Sequence, residues 1–263
     1  MWALRLRLGG LLFAALGAAF FLTAGIPEFA GWAALTGFLL ALCAELYTAI
    51  AKPDRRWYQG RAAAESAKTL AWRYAVCGDR FEAEASGVDR VFVNELREIL
   101  KDLRDLDLSS ATNATEQITP RMRELRARSF EDRKRVFAEG RIEDQRGWYA
   151  RKSQWNAVRL QRWTVAVITA EGLGVLGGVL VVAYSWSIDL VGLLAAVAAA
   201  ITAWVQAKQH GNLATAYGIT SQELASIYST IASVSEAEWP EFVGQSEEAI
   251  SREHTLWRAT RGV

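Results

Sequence analysis

Four apolar runs, each long enough to cross a bilayer, constrain this chain more than any other feature. Leu8 to Ile26 holds no charged residue. A helix needs about 20 such residues to cross roughly 30 Å of hydrocarbon. Pro27 and Glu28 interrupt the pattern, and a second run continues from Phe29 to Ala51 with Glu45 as its one charge. Two more follow: Trp163 to Trp186, carrying Glu171, and Ile188 to Val205, carrying Asp189. The connection within each pair is only a few residues long, so each pair predicts a helical hairpin. Four prolines and few strand-like runs argue against β structure. The expected fold class is all-α: an integral membrane protein with four transmembrane helices in two hairpins and long cytoplasmic juxtamembrane helices. The first run has features of a signal peptide, with Arg5 and Arg7 before it and Thr23-Ala24-Gly25 as small residues for cleavage. The second apolar run directly behind it favours a retained span.

The basic residues set the orientation. Arg5 and Arg7 precede the first span, and Lys52, Arg55 and Arg56 follow the second. Arg151, Lys152, Arg159 and Arg162 precede the third, Lys208 follows the fourth, and neither hairpin tip carries a Lys or Arg. Both termini and the segment between the hairpins are therefore expected in the cytoplasm.

Apolar residues make up 51% of the 263, yet 22% are charged and the net charge is only +1, so nucleic acid is excluded as a partner. Cys43 and Cys77 cannot form a disulfide framework. With His210 and His254 far apart there is no zinc-ligand spacing, and no metal or cofactor is expected. No nucleophile–base pair suggests an enzyme. Gly172-Leu-Gly174-Val-Leu-Gly177 is literally a dinucleotide string, but it lies inside a span and lacks the strand–turn–helix setting such a site needs. Glu253-His254 lacks the second histidine of a zinc protease motif, and Asn113-Ala114-Thr115 has no meaning as a glycosylation signal in the cytoplasm.

Between the hairpins, 54–107 reads as amphipathic helix broken near Gly78 and Gly87. Residues 108–119 are small and polar, a natural linker. Thr119-Pro120 is a helix start, an N-cap followed by proline in the first turn. A charged helical pattern then runs to Arg162 and could reach roughly 60 Å, either as a self-associating stalk or folded back on its own domain. After the fourth span come further helices over 211–260. Trp2, Trp57, Trp163 and Trp186 lie where interfacial anchors belong, while Trp72, Trp148 and Trp155 are expected in an inter-helix core.

The order hairpin, then polar helices, occurs twice, and three strings carry a family likeness. Arg61-Ala-Ala-Ala-Glu65-Ser66-Ala-Lys68-Thr69-Leu-Ala-Trp72-Arg73-Tyr74 follows the first hairpin. Arg141-Ile-Glu143-Asp144-Gln145-Arg-Gly-Trp148-Tyr149 precedes the second, and the tail reads Ser246-Glu247-Glu248-Ala-Ile-Ser251-Arg252-Glu253-His254-Thr255-Leu-Trp257. With the paired hairpins, these strings resemble the SLATT family, the two-span domains that accompany SMODS nucleotidyltransferases and SLOG sensors in bacterial conflict systems. The resemblance covers nearly the whole chain as two fused units. The first is 1–107 with its hairpin at 8–51. After the linker at 108–119, the second is 120–263, with a charged helix over 120–162 and its hairpin at 163–205. The resemblance implies a pore-forming effector in the bacterial inner membrane that acts on a signal from partner proteins, often through nucleotide second messengers. No sensor or nucleotidyltransferase domain is carried in this chain.

Two carboxylates fall inside spans, where charge is costly and usually faces a bundle interior or water. Glu45 lies roughly 9 Å, and Glu171 roughly 12 Å, from the cytoplasmic boundary. Gly37, Ala41 and Glu45 share an i, i+4, i+8 spacing, as do Ala170, Gly174 and Gly178, with Glu171 beside them. Ala195, Ala199 and Ala203 repeat it in the fourth span, and Gly10, Ala14 and Ala18 in the first. Small residues at this spacing let helices approach closely. Glu171 and Glu45 are thus candidate pore-lining groups that would form acidic rings in a homo-oligomer. Alternatively each only holds helices together, with Lys52 or Arg55 as the partner of Glu45. Asp189 at a hairpin tip reads as a helix cap. Three functions fit: an oligomeric pore-forming effector, a housekeeping channel or small transporter, and a non-conducting scaffold.

Overall fold

The computed structural model describes residues 2–51, 53–101, 116–184 and 190–261, with side chains throughout except at 53–58 and 252–261. Among them every regular element is a helix: α1 (Trp2–Thr23), α2 (Pro27–Ala51), α3 (Pro53–Ala75), α4 (Val88–Lys101), α5 (Pro120–Arg126), α6 (Phe130–Phe137), α7 (Asp144–Tyr184), α8 (Leu190–Lys208), α9 (His210–Thr230) and α10 (Trp239–Arg261). A π-helical turn, Ala138–Glu143, joins α6 to α7. Four of these helices are long and apolar enough to cross a membrane. The chain forms two compact units. Met1–Pro53 and Gln154–Ala214 form a hairpin unit, and Asp54–Ser153 and Thr215–Val263 form a core unit.

In the hairpin unit, α1 and α2 are joined by a turn at Gly25, whose φ of 76° is the left-handed conformation that glycine adopts at a helix end. The Ala24 and Ile26 amides close the turn by donating to the Phe20 and Phe21 carbonyls, both at 3.0 Å. Pro27 then opens α2, where its missing N–H removes no intrahelical bond. The interface is built of small residues: Ala3, Gly10 and Ala14 on α1 meet Ala30, Ala33, Gly37, Ala41 and Ala44 on α2, all buried. The approach is closest at the glycines, where a Cβ on Gly10 would stand 2.7 Å from the Gly37 carbonyl oxygen. In hydrocarbon, where lipid is as apolar as the side chains, such van der Waals contact holds helices together. The second hairpin is looser. A Cβ on Gly177 would meet Leu190 at 3.4 Å, and one on Gly174 would meet Leu194 at 3.9 Å. Helix α1 also packs on α8.

A single residue, Gln209, separates α8 from α9; its φ is 51°, unusual for a side chain without a special local role. Directly after it, buried His210 places Nδ1 2.8 Å from the Oδ1 of buried Asn156 on α7.

The core unit holds two apolar clusters. One gathers Val76, Phe137, Ile142, Tyr149, Leu224, Ile231, Trp239, Val243 and Ile250; the other gathers Leu70, Tyr74, Phe81, Phe92 and Ile118. The expected helix start at Thr119 is present, with its Oγ1 accepting from the Met122 amide and Pro120 in the first turn. The charged stretch 120–162 is not one rod. It breaks at Ala127–Ser129, passes through the π-helical turn, and buries Phe137, Ile142 and Tyr149 in the first cluster. Of the two readings open for this stretch, its first half packs back on its own unit. Helix α3 ends at a tight corner, where the Gly78 amide donates to the Arg73 carbonyl at 2.7 Å and Cys77 and Arg80 both take positive φ. Trp239, 1% exposed, locks that corner by donating from Nε1 to the Val76 carbonyl at 2.7 Å. Part of the expected linker, 102–115, lies outside the described residues, as do Trp186 and Asp189.

Candidate functional site

The two span carboxylates have different surroundings. Glu45 is exposed on α2 and pairs with Arg7 of α1 at 2.7 Å. Its cation therefore comes from the other helix of the same hairpin, while the side chains of Lys52 and Arg55 lie outside the described residues. The buried positions on α2 advance Gly37, Ala41, Ala44 rather than reaching Glu45. Four residues turn a helix by about 40° more than one full circle, so an i, i+4, i+8 row drifts off a contact that an i, i+4, i+7 row keeps.

Glu171 is exposed on α7, and no cation lies within 4 Å of it among the described residues. Its neighbours on that face are also bare: Ile168 is 62% exposed and Val175 69%, and a Cβ on Gly172 would meet nothing within 4 Å. The adjoining face holds buried Ala170 and makes the hairpin contact through half-buried Gly174 and buried Gly177. Gly178 has nothing within 4 Å of a built Cβ, and Ala195, Ala199 and Ala203 of α8 are exposed.

The residues singled out by family likeness lie on the core unit and are brought together only in part. Arg61 sits 5.9 Å from the centre of the Trp148 indole, and Trp148 packs edge-on against Tyr149 and Tyr217. The Tyr149 hydroxyl donates to the Ile250 carbonyl. Trp72 meets Phe137 edge-on. Trp155, expected in the same core as Trp72 and Trp148, belongs instead to the hairpin unit and is 47% exposed. Glu65 is half-buried and Lys68 exposed, while the Gln145 amide donates to exposed Asp144. The side chains of Arg252, Glu253, His254 and Trp257 lie outside the described residues. Tyr74 is buried and donates to Asp89 Oδ1 at 2.7 Å; burial, then this bond, push its hydroxyl up to about 12. The same bond holds the Asp89 carboxyl below the usual carboxylate range.

The most buried polar feature was only half visible in the strings. Glu247, 0% exposed, accepts from Arg141 Nε at 2.8 Å and Nη2 at 2.6 Å, a two-pronged pair with a guanidinium itself 1% exposed. Thr69 Oγ1 donates at 2.9 Å to Oε2, the oxygen that also accepts from Arg141 Nη2, while Arg141 Nη1 has no partner among the described residues. Arg141 sits in the π-helical turn between buried Ala138 and Ile142. Its place in an apolar register was the sequence signal for a buried charge. Single π-turns inside helices often mark functional positions. Among the described residues no group of three or more His, Cys, Asp or Glu is placed to hold a metal.

Helices throughout the described residues, four of them fit to cross a bilayer, define an all-α membrane protein. A family model for the SMODS and SLOG-associating 2TM effector domain 3 matches residues 1–134, and one for domain 1 of the same name matches 137–257. The chain belongs to the SLATT family and carries two SLATT domains in tandem. No curated protein and no solved structure matches it.

The Arg141–Glu247–Thr69 contact therefore joins the two domains, since Thr69 lies in the first match and the ion pair in the second.

Proposed function

We propose that this chain is the pore-forming effector of a bacterial anti-phage defence system. In this reading it resides in the inner membrane with both termini in the cytoplasm. It assembles with copies of itself and depolarises the membrane on a signal from a sensor or a nucleotide-second-messenger-generating partner.

One observation carries the reading. Glu171 is a carboxylate inside a membrane-crossing helix, exposed in the single chain, with no cation within 4 Å among the described residues. A charge held in hydrocarbon is costly and is normally turned toward a protein interior or water. A second copy or a water-filled path supplies what the single chain lacks. The exposed Ala195, Ala199 and Ala203 on α8 support the same idea, because small residues permit close helix contact between copies. Repeated round a closed ring, Glu171 makes an acidic constriction that favours cations. Glu45, already paired with Arg7, is the weaker lining candidate.

The test is ion flux from liposomes holding the purified chain, wild type against Glu171→Gln. A conducting wild type with reduced cation flux in the variant supports the reading. Equal flux keeps a pore but takes Glu171 off its path. Absence of flux in liposomes and of depolarisation in phage-infected cells expressing the chain would leave a scaffold as the better account.

A further inference from the structure

Every Lys and Arg of the hairpin unit, six in all, lies at the open ends of the hairpins, where the sequence offers one carboxylate, Glu45. Glu45 is taken by Arg7. Two of the others converge on one indole. Arg5, from the start of α1, lies 5.9 Å from the centre of the Trp204 ring on α8, and Lys208 lies 4.7 Å from the same centre. Trp204 in turn packs 6.4 Å from Trp163 of α7. One helical turn before Trp163 comes exposed Arg159, stacked 4.4 Å over Trp155. Arg5 and Arg159 have no carboxylate within 4 Å among the described residues. Each therefore keeps its N–H fork for a ligand beside a tryptophan ring.

We propose that this collar, Arg5, Lys208 and Trp204 with Arg159, Trp155 and Trp163, binds the phosphate of anionic phospholipid headgroups. The chemistry matches on two counts. Tryptophan at the end of a span sits at headgroup depth. Guanidinium grips phosphate with two parallel bonds, which choline-capped lipids screen with their own cation. Each cation beside a membrane surface contributes roughly fivefold in affinity for anionic lipid. The collar stands on its own residues and is independent of whether the chain conducts.

Native mass spectrometry of the detergent-purified full chain, titrated with phosphatidylglycerol or phosphatidylcholine, reads the binding directly. Bound phosphatidylglycerol should exceed phosphatidylcholine. Arg5→Gln and Arg159→Gln should each lower its affinity roughly fivefold, and together roughly 25-fold. Arg97→Gln, an exposed cation on α4 of the core unit, should leave binding unchanged. Equal affinity for the two lipids would overturn the proposal. So would an equal loss in Arg97→Gln, which would reduce the effect to net charge. Displacement of the lipid by millimolar inorganic phosphate would also overturn it, since the site would then serve a free anion.

Discussion

Removing one partner of the Arg141–Glu247 pair isolates a charge where water cannot reach it. Glu247→Gln preserves the shape and the Thr69 contact but withdraws the negative charge from a guanidinium that is 1% exposed and already has Nη1 unpartnered. Breaking a buried pair in this way costs about 3–5 kcal/mol, against about 0–1 kcal/mol for a surface pair. In a unit of about 150 residues, each kcal/mol moves the unfolding midpoint by about 2–4 °C, so the expected fall in Tm is about 6–20 °C. Near-ultraviolet circular dichroism of the full chain in detergent follows it, because Trp239 and Tyr149 pack in the adjoining cluster. The double variant Arg141→Met with Glu247→Leu should recover most of the loss, since apolar groups of similar size replace buried pairs at little net cost. A fall below about 2 °C for Glu247→Gln, or a double variant as unstable as the two single losses added together, would refute the argument.

Two further outcomes follow from single residues. A Cβ on Gly37 would stand 2.7 Å from Ala14 Cβ and 2.9 Å from its amide nitrogen, whereas one on Gly31 meets nothing within 4 Å. Gly37→Ala should therefore lower resistance to unfolding in SDS by about 1–3 kcal/mol, while Gly31→Ala on the same helix leaves it unchanged or slightly raised. The Tyr74 hydroxyl titrates near 12 in the folded chain and near 10 when unfolded. Its contribution is then fully present below about pH 10 and lost as pH rises toward and past 12. Tyr74→Phe should flatten the stability curve over that window and remove the last-titrating tyrosinate absorbance; an unchanged curve would count against the hydrogen bond from buried Tyr74 to Asp89.

The spans were legible because a bilayer imposes a length and a composition that few soluble helices share, and the break between the first two was marked by Pro27 and Glu28, although the turn itself falls at Gly25. Helix α1 nevertheless begins at Trp2, six residues before the uncharged run, so Arg5 and Arg7 ride on the span's own helix. That placement is what lets Arg7 reach Glu45, a partner that proximity along the chain could not suggest. The contact faces were readable only to within one step of helical drift: Ala44 and Gly177 are buried where four-residue spacing pointed to Glu45 and Gly178. The Arg141–Glu247 pair spans 106 residues of sequence, and nothing local marks which acid a buried arginine will meet. Trp155 illustrates the same limit, since an aromatic in a polar helix reads as core until its neighbours are known.

The single apolar cluster that unites Val76 and Trp72 with Phe137, Trp239 and Ile250 has a consequence for how such a chain can arise and change. Ancestral two-span domains living as separate proteins could vary in copy number. Here the second apolar cluster is made of first-domain residues alone, but this one is shared, and a single chain makes the two domains in a fixed one-to-one ratio. Any mutation at that seam is then selected on both domains at once. A chain split between the two domains would leave Val76 and Trp72 on one product and Phe137, Trp239 and Ile250 on the other, each with part of that cluster bare.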